Sequence, residues 1–307
     1  MKRKVNRVGT STLTVSIPSK WARKYNISPG DELEVEEDKN KLNICTENIK
    51  EKTTNILIDV SNQKNMIHRI VAAAYKSGKK NLTIQYERAE ELKIIQKRIE
   101  RNLPEFDAIE YDENKVKIKS IASLDPEKFN IILKKVFFSL EMTIKNIQKE
   151  IKTKDFEGLK STALMDKNID KYTDFCRRLL NKNIESPYNS NSVYYILEEI
   201  EIIGDIYKSL CKEIAKNKIN LSKELRNLLN ETNEFLLDFN NLFFNFNYQK
   251  LKKFGEKKEK LDKKINQLYS KVKRKELKAF FLITQIFNAT FEMKGALLTH
   301  FIEWVIL

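Results

Sequence analysis

Along most of the 307-residue chain, hydrophobic residues recur at alternating steps of three and four. Leu133, Phe137, Leu140, Ile144, Ile147 and Ile151 form one such seam. Met165, Ile169, Tyr172, Cys176 and Leu179 form a second, and Val193, Ile196, Ile200, Ile203, Tyr207, Leu210 and Ile214 a third. Each seam lays an apolar stripe along one side of a helix, as bundle helices require. A second set runs Leu225, Leu229, Thr232, Leu236, Phe239, Phe243 and Phe246, then Leu261, Ile265, Leu268 and Val272. It closes on the apolar stretch from Ala279 to Leu307. Two consecutive three-helix units, 127–217 and 222–307, therefore read as an internal duplication. Phe235, Phe239, Phe243, Phe244 and Phe246 fit helix packing better than a cofactor box.

The pattern differs before residue 125. Leu13, Val15 and Ile17 alternate with Thr12, Thr14 and Ser16, the period of a half-buried strand. Pro18 ends that strand and suits the first turn of a helix, here Ser19 to Tyr25. Pro29-Gly30-Asp31 reads as a tight turn, and Leu33–Val35 and Leu42–Ile44 as two further strands. Residues 1–48 thus form a small β unit. A mixed α/β segment spans 53–122: a strand at 55–60, a helix at 66–76 stopped by Ser77-Gly78, a strand at 82–86, a helix at 89–102 ended before Pro104, and a hairpin over 106–121. It reads as a connector or dimerisation domain. The whole is multidomain and mainly α.

Charge adds direction. Residues 1–24 carry Lys2, Arg3, Lys4, Arg7, Lys20, Arg23 and Lys24 and no acid, whereas residues 31–38 carry six acids and no base. A surface divided this way has a part suited to a polyanion and a part that repels one. The net charge of +14 points the same way. Cys45, Cys176 and Cys211 show no C-x-x-C spacing, so neither a disulfide framework nor a zinc site is indicated. The basic start is followed by no apolar h-region, which argues against a signal peptide. Polar residues break the apolar run at 279–307, so no membrane span is expected there. His68 and His300 lack acidic or cysteine partners at ligand spacing. No Ser, Cys–His or glycine-rich phosphate motif is present, so no enzyme activity is expected.

Val5, Arg7-Val8-Gly9, Ser11, Val15-Ser16-Ile17-Pro18 and Gly30-Asp31-Glu32-Leu33 together resemble the AbrB/SpoVT swapped-hairpin family over about the first 47 residues. The resemblance implies a domain-swapped dimer whose strands interleave into one β-barrel, and binding to double-stranded DNA. Arg3, Lys4, Arg7, Arg23 and Lys24 fall at matching basic positions, and Lys20 lies in the same acid-free stretch. Thr14 departs from the arginine that several members carry four residues before the proline. A segment this short cannot bury an adequate core alone, which is consistent with a swapped dimer.

Asp166 and Asp170 stand at i, i+4, and Glu201 and Asp205 repeat the spacing within Glu-Ile-Ile-Gly-Asp. Each pair shares a helix side, and four carboxylates on neighbouring helices suit a hard-oxygen site for Fe, Mn or Mg. The competing reading is a solvated face answered by Lys167, Lys171 and Lys208. The two three-helix units with these motifs resemble the PhoU family of phosphate-uptake regulators over about 127–307. That resemblance implies metal binding by Asp166, Asp170, Glu201 and Asp205, and a phosphate transporter or sensor kinase as partner. In the second unit, Lys258 with Asp262 and Asn288 with Glu292 depart from the motif.

Together the resemblances describe an archaeal phosphate-uptake regulator type: a cytoplasmic, DNA-binding dimer whose helical bundle senses phosphate status through a metal, phosphate or a protein. Two alternatives follow from the same residues. One is a PhoU-like adaptor acting on a transporter or kinase, with the N-terminal barrel only dimerising. The other is the DNA-binding half of a toxin–antitoxin pair.

Overall fold

The computed structural model describes residues 2–38, 41–46, 56–121, 126–182 and 189–305. The expected boundary at 49–52 lies outside them. The chain divides into two compact units, 1–54 and 55–307.

In the first unit, β1 (Val5–Val8) pairs antiparallel with β2 (Thr12–Val15), and β3 (Leu33–Asp38) with β4 (Lys41–Thr46). Between the hairpins lies α1 (Ser19–Lys24), whose start at Pro18 matches the strand-to-helix switch expected there. Gly30 takes φ +99 in the expected turn, closed by Ser28 N–H donating to Asp31 Oδ2 at 2.7 Å. Strand β1 went unread in the sequence because Asn6 and Arg7 interrupt its alternation. The two hairpins are separate two-stranded sheets, and no closed barrel forms among the described residues. Closing a swapped barrel takes the strands of a second chain.

The second unit opens with a four-stranded sheet in the order β5 (Ile56–Asp59), β6 (Asn81–Gln85), β8 (Lys115–Ser120), β7 (Phe106–Asp112). Strands β5 and β6 run parallel, so the chain must cross over between them, and α2 (Ile67–Lys76) does so. Gly78, at φ +81, ends α2. Helix α3 (Ala89–Asn102) leads to the β7–β8 hairpin. Val71, Tyr75, Leu82, Ile84, Ile95 and Ile118 form the buried layer between these helices and the sheet.

The rest is helical: α4 (Pro126–Thr153), α5 (Phe156–Thr162), α6 (Asp166–Asn181), α7 (Ser190–Asn217), α8 (Lys223–Phe244), α9 (Tyr248–Tyr269), α10 (Leu277–Glu292) and α11 (Lys294–Val305). The expected seams are largely inside: Leu133, Phe137, Leu140, Ile144 and Ile147 on α4, and all seven seam residues of α7, are buried. Phe235 stacks on Phe254 with ring centroids 4.1 Å apart, and Phe246 on Phe301 at 4.4 Å, so the Phe-rich stretch is packing. Two helices differ from expectation. Short α5 starts where Asp155 accepts the Gly158 N–H at 2.8 Å, and the closing apolar stretch breaks at Met293 into α10 and α11. No helix among the described residues is long and apolar enough to cross a membrane.

The α/β segment and the helices share one unit, and α6 joins them. Arg178, fully buried on α6, donates to the carbonyls of Tyr75 at 2.7 Å and Lys79 at 2.9 Å. Asn181 Nδ2 donates to the Lys76 carbonyl at 2.8 Å. These carbonyls cluster at the C-terminal end of α2, where helix geometry leaves acceptors unpaired and negative potential concentrates, so a guanidinium suits the place. Its plane also lies over the rings of Phe106 (4.4 Å) and Tyr75 (4.8 Å).

Candidate nucleic-acid interface

Six basic side chains of the first unit are the expected DNA contacts, and all six are exposed: Arg3 and Lys4 before β1, Arg7 on β1, and Lys20, Arg23 and Lys24 on α1. Lys20, Arg23 and Lys24 stand at i, i+3 and i+4 and so share one helix side. Arg3 donates to Ser16 Oγ at 3.4 Å, which ties the N-terminal segment to the chain just past β2. Thr14 Oγ1, in place of the family arginine, donates to the Asn6 carbonyl at 3.4 Å and is an internal strand contact.

The apolar residues of the two hairpins are largely exposed as well. Arg7 pairs with Leu13, and Val5 with Val15, so these four share one face of the first hairpin. Val35 pairs with Ile44, putting Val35, Leu42 and Ile44 on one face of the second, with Glu34 opposite. Val5 is 59 %, Leu13 65 %, Val15 54 %, Val35 57 % and Leu42 67 % exposed. No described side chain of this unit is buried in the single chain. Two alternating hairpins with nothing over their apolar faces lack a core until another surface supplies it.

Residues 7–51 match the family model described as antidote-toxin recognition MazE, bacterial antitoxin. The N-terminal unit is therefore a MazE/AbrB-type domain, attached to a mostly helical remainder. No curated protein and no solved structure matches the chain. Domains of the MazE/AbrB type bind DNA and dimerise, and a dimer is what the uncovered faces call for. Each Leu or Val side chain taken from water stabilises by about 1.5–3 kcal/mol, and a dimer buries each position twice. Leu13→Asp is accordingly expected to weaken self-association on the order of 100-fold or more. Sedimentation of the variant beside the parent protein checks this, and an unchanged dimer would contradict it.

The second expected site lies between α6 and α7. Lys208 Nζ donates to Asp166 Oδ2 at 2.6 Å and to Asp205 Oδ1 at 2.9 Å. Glu201 is paired with buried Arg177, which also meets Glu198 and, at 2.9 Å, Asp174. A Cβ added to Gly204 would lie 3.3 Å from Asp166 Oδ1 and from Ile169, a tight fit, so the glycine of Glu-Ile-Ile-Gly-Asp sits where α6 and α7 pack closely. Asp170 feels the charges of Asp166, Glu201 and Asp205, so the four carboxylates share one neighbourhood. Among the described residues, no three His, Cys, Asp or Glu close on one point as metal ligands do. Asp166 Oδ1 is buried without a hydrogen-bond partner. The cluster suits a cation, and Lys208 supplies one from within the chain. In the second half, Lys258 and Asp262 pair with each other at 2.5 Å.

Burial, reinforced by Asp166, Glu201 and Asp205, pushes the Asp170 carboxyl up to about 7 from its ordinary 3.8. A carboxyl raised on folding favours the protonated folded state. Its contribution is full below the ordinary value and is lost as pH rises through about 7. Stability is expected to fall between about pH 4 and 7 and to level off above that, and Asp170→Asn to flatten the fall. Melting temperatures of the two proteins across this range decide it; parallel curves would count against the coupling.

Sequence reasoning missed Asp174, Arg177 and Arg178, which are 1 %, 0 % and 0 % exposed. A run of charge on a helix ordinarily faces water. His300, by contrast, is buried beside Phe243 and Phe301, with Nδ1 accepting the Asn189 N–H at 3.2 Å, as a packing residue would be.

Proposed function

We propose that this protein is a DNA-binding transcriptional regulator of phosphate uptake, acting without enzymatic chemistry in the cytoplasm. The observation that carries the DNA half is the MazE/AbrB-type domain with seven exposed cations in the acid-free first 24 residues of the chain. The phosphate half rests on the PhoU-like pattern of the helices, with its two acidic motifs on α6 and α7. In this reading the dimer holds phosphates of the DNA backbone, and the helical unit responds to phosphate status. If Fe, Mn or Mg carried the response, Asp166, Asp170, Glu201 and Asp205 would hold it, in the place that the Lys208 ammonium fills here. A phosphate transporter or sensor kinase is the alternative route by which the helices receive the signal.

The test is the affinity of the intact protein for its own promoter against random duplex, with and without inorganic phosphate and each metal. The promoter is expected to be preferred by about a thousandfold or more, and the preference to change with phosphate or metal. Equal affinity for both duplexes would overturn the regulator. Preference unmoved by any addition would overturn the phosphate part.

The MazE match also favours a second reading, in which the domain is the antidote of a toxin. Its helical remainder is a packed unit with a continuous core, whereas an antitoxin tail is ordinarily short and disordered until bound. Co-purification of a small toxin with the helical unit would favour this second reading.

A further inference from the structure

We propose that the cleft between α4 and α8 binds an oxyanion of the phosphate class. The cleft has a volume of about 430 Å³, within the range of small-ligand sites. Lys223, Arg226, Asn227 and Asn230 stand at i, i+3, i+4 and i+7 and so share one side of α8; Gln148, Ile151 and Lys152 do the same on α4. The polar lining is three cations and three amides, with no carboxylate.

That composition is unlike its surroundings. Where lysines of the neighbouring α9 face α8, a carboxylate of α8 answers them: Lys257 meets Asp238 at 2.7 Å, and Lys264 meets Glu231 at 2.5 Å. Lys152, Lys223 and Arg226 make no ion pair among the described residues. The neighbouring cleft along α9 mixes Glu231 and Glu256 with its lysines, and the one at Asn181 and Tyr194 holds no charge at all. Three like charges around one cleft repel one another, and an anion that enters relieves the repulsion.

The donors suit a phosphate group. The Arg226 guanidinium offers a planar fork to two oxygens, and Lys152 and Lys223 add point charges. Gln148 Nε2 donates to Asn230 Oδ1 at 3.2 Å, which ties α4 to α8 and leaves the Asn230 amide nitrogen as a further donor. The cleft is roomier than one phosphate group needs, so free phosphate and a phosphate carried on a small molecule share the same chemistry here. Since α4 lies in the first half of the helical unit and α8 in the second, a bound anion links the halves. Its role as the sensed signal rests on the phosphate reading above; binding itself does not.

Titration calorimetry of the intact protein with inorganic phosphate and with pyrophosphate, at constant ionic strength, tests the site. Saturable binding of at least one probe is expected, weakened about tenfold or more in Arg226→Gln and in Lys152→Gln. The variant Lys252→Gln/Lys253→Gln, which removes two charges from exposed α9 positions, is expected to bind like the parent. Preference for phosphate would point to the free ion, and preference for pyrophosphate to a phosphorylated small molecule. No saturable binding of either probe, or equal weakening in the α9 variant, would overturn the proposal. Saturable binding without any promoter recognition would uphold the site while removing the regulator.

Discussion

Asp174→Ala is expected to destabilise the helical unit by about 3–5 kcal/mol, the cost of leaving buried charge without its partner. The Asp174 carboxylate is 1 % exposed and serves three cations from three places. Oδ2 accepts from Arg98 of α3 at 2.8 Å; Oδ1 accepts from Arg177 of α6 at 2.9 Å and faces Lys76 of α2 at 3.6 Å. Removing it takes from Arg98 the carboxylate it pairs with and leaves fully buried Arg177 with two of its three carboxylates, Glu198 and Glu201. Whole-domain stabilities are only about 5–15 kcal/mol, so a loss of this size is a large fraction of the total. The midpoint of urea unfolding is the readout. A substitution at exposed Lys167 gives the reference, and a midpoint equal to that reference would contradict the role given to Asp174. Arg178→Lys probes the same junction, since a lysine cannot hold the Tyr75 and Lys79 carbonyls in one planar fork.

The helical half was legible because its information is local. Ile196, Ile200, Ile203, Tyr207, Leu210 and Ile214 announce α7 by spacing alone, and all are buried. The Asp170 environment was partly legible for the same reason: i, i+4 spacing placed two acids on α6 and two on α7, and Lys208 was already visible as their answer. What spacing could not show is burial imposed from elsewhere in the chain. Asp174, Arg177 and Arg178 look like a solvated run until the α/β segment packs on that side of α6 and covers them. The break at Met293 left no mark either, because the residues on both sides are equally apolar. In the N-terminal unit, alternation gave the strands β2, β3 and β4, and the exposed apolar faces show why single-chain hydropathy alone stops short of its core.

Replacing Arg3, Lys4 and Arg7 together by Ala is expected to have the largest effect on DNA binding. Backbone contacts made by lysine and arginine release counterions, and each lost contact lowers the slope of log K against log salt by about 0.9. Three contacts per chain, six in the dimer, make a change of about 5.4, seen as a steep loss of affinity at low salt and a weaker dependence on salt. The three side chains are exposed, and among the described residues only Arg3 of the three makes a side-chain hydrogen bond, to Ser16, so the fold is expected to survive their removal. Salt-dependent binding of the intact protein and this variant to the protein's own promoter is the most direct test of the DNA-binding domain. Tight binding by the parent with a slope that drops by about 5.4 in the variant is the expected result. Binding by the parent no tighter than to random duplex, or an unchanged slope in the variant, would contradict it.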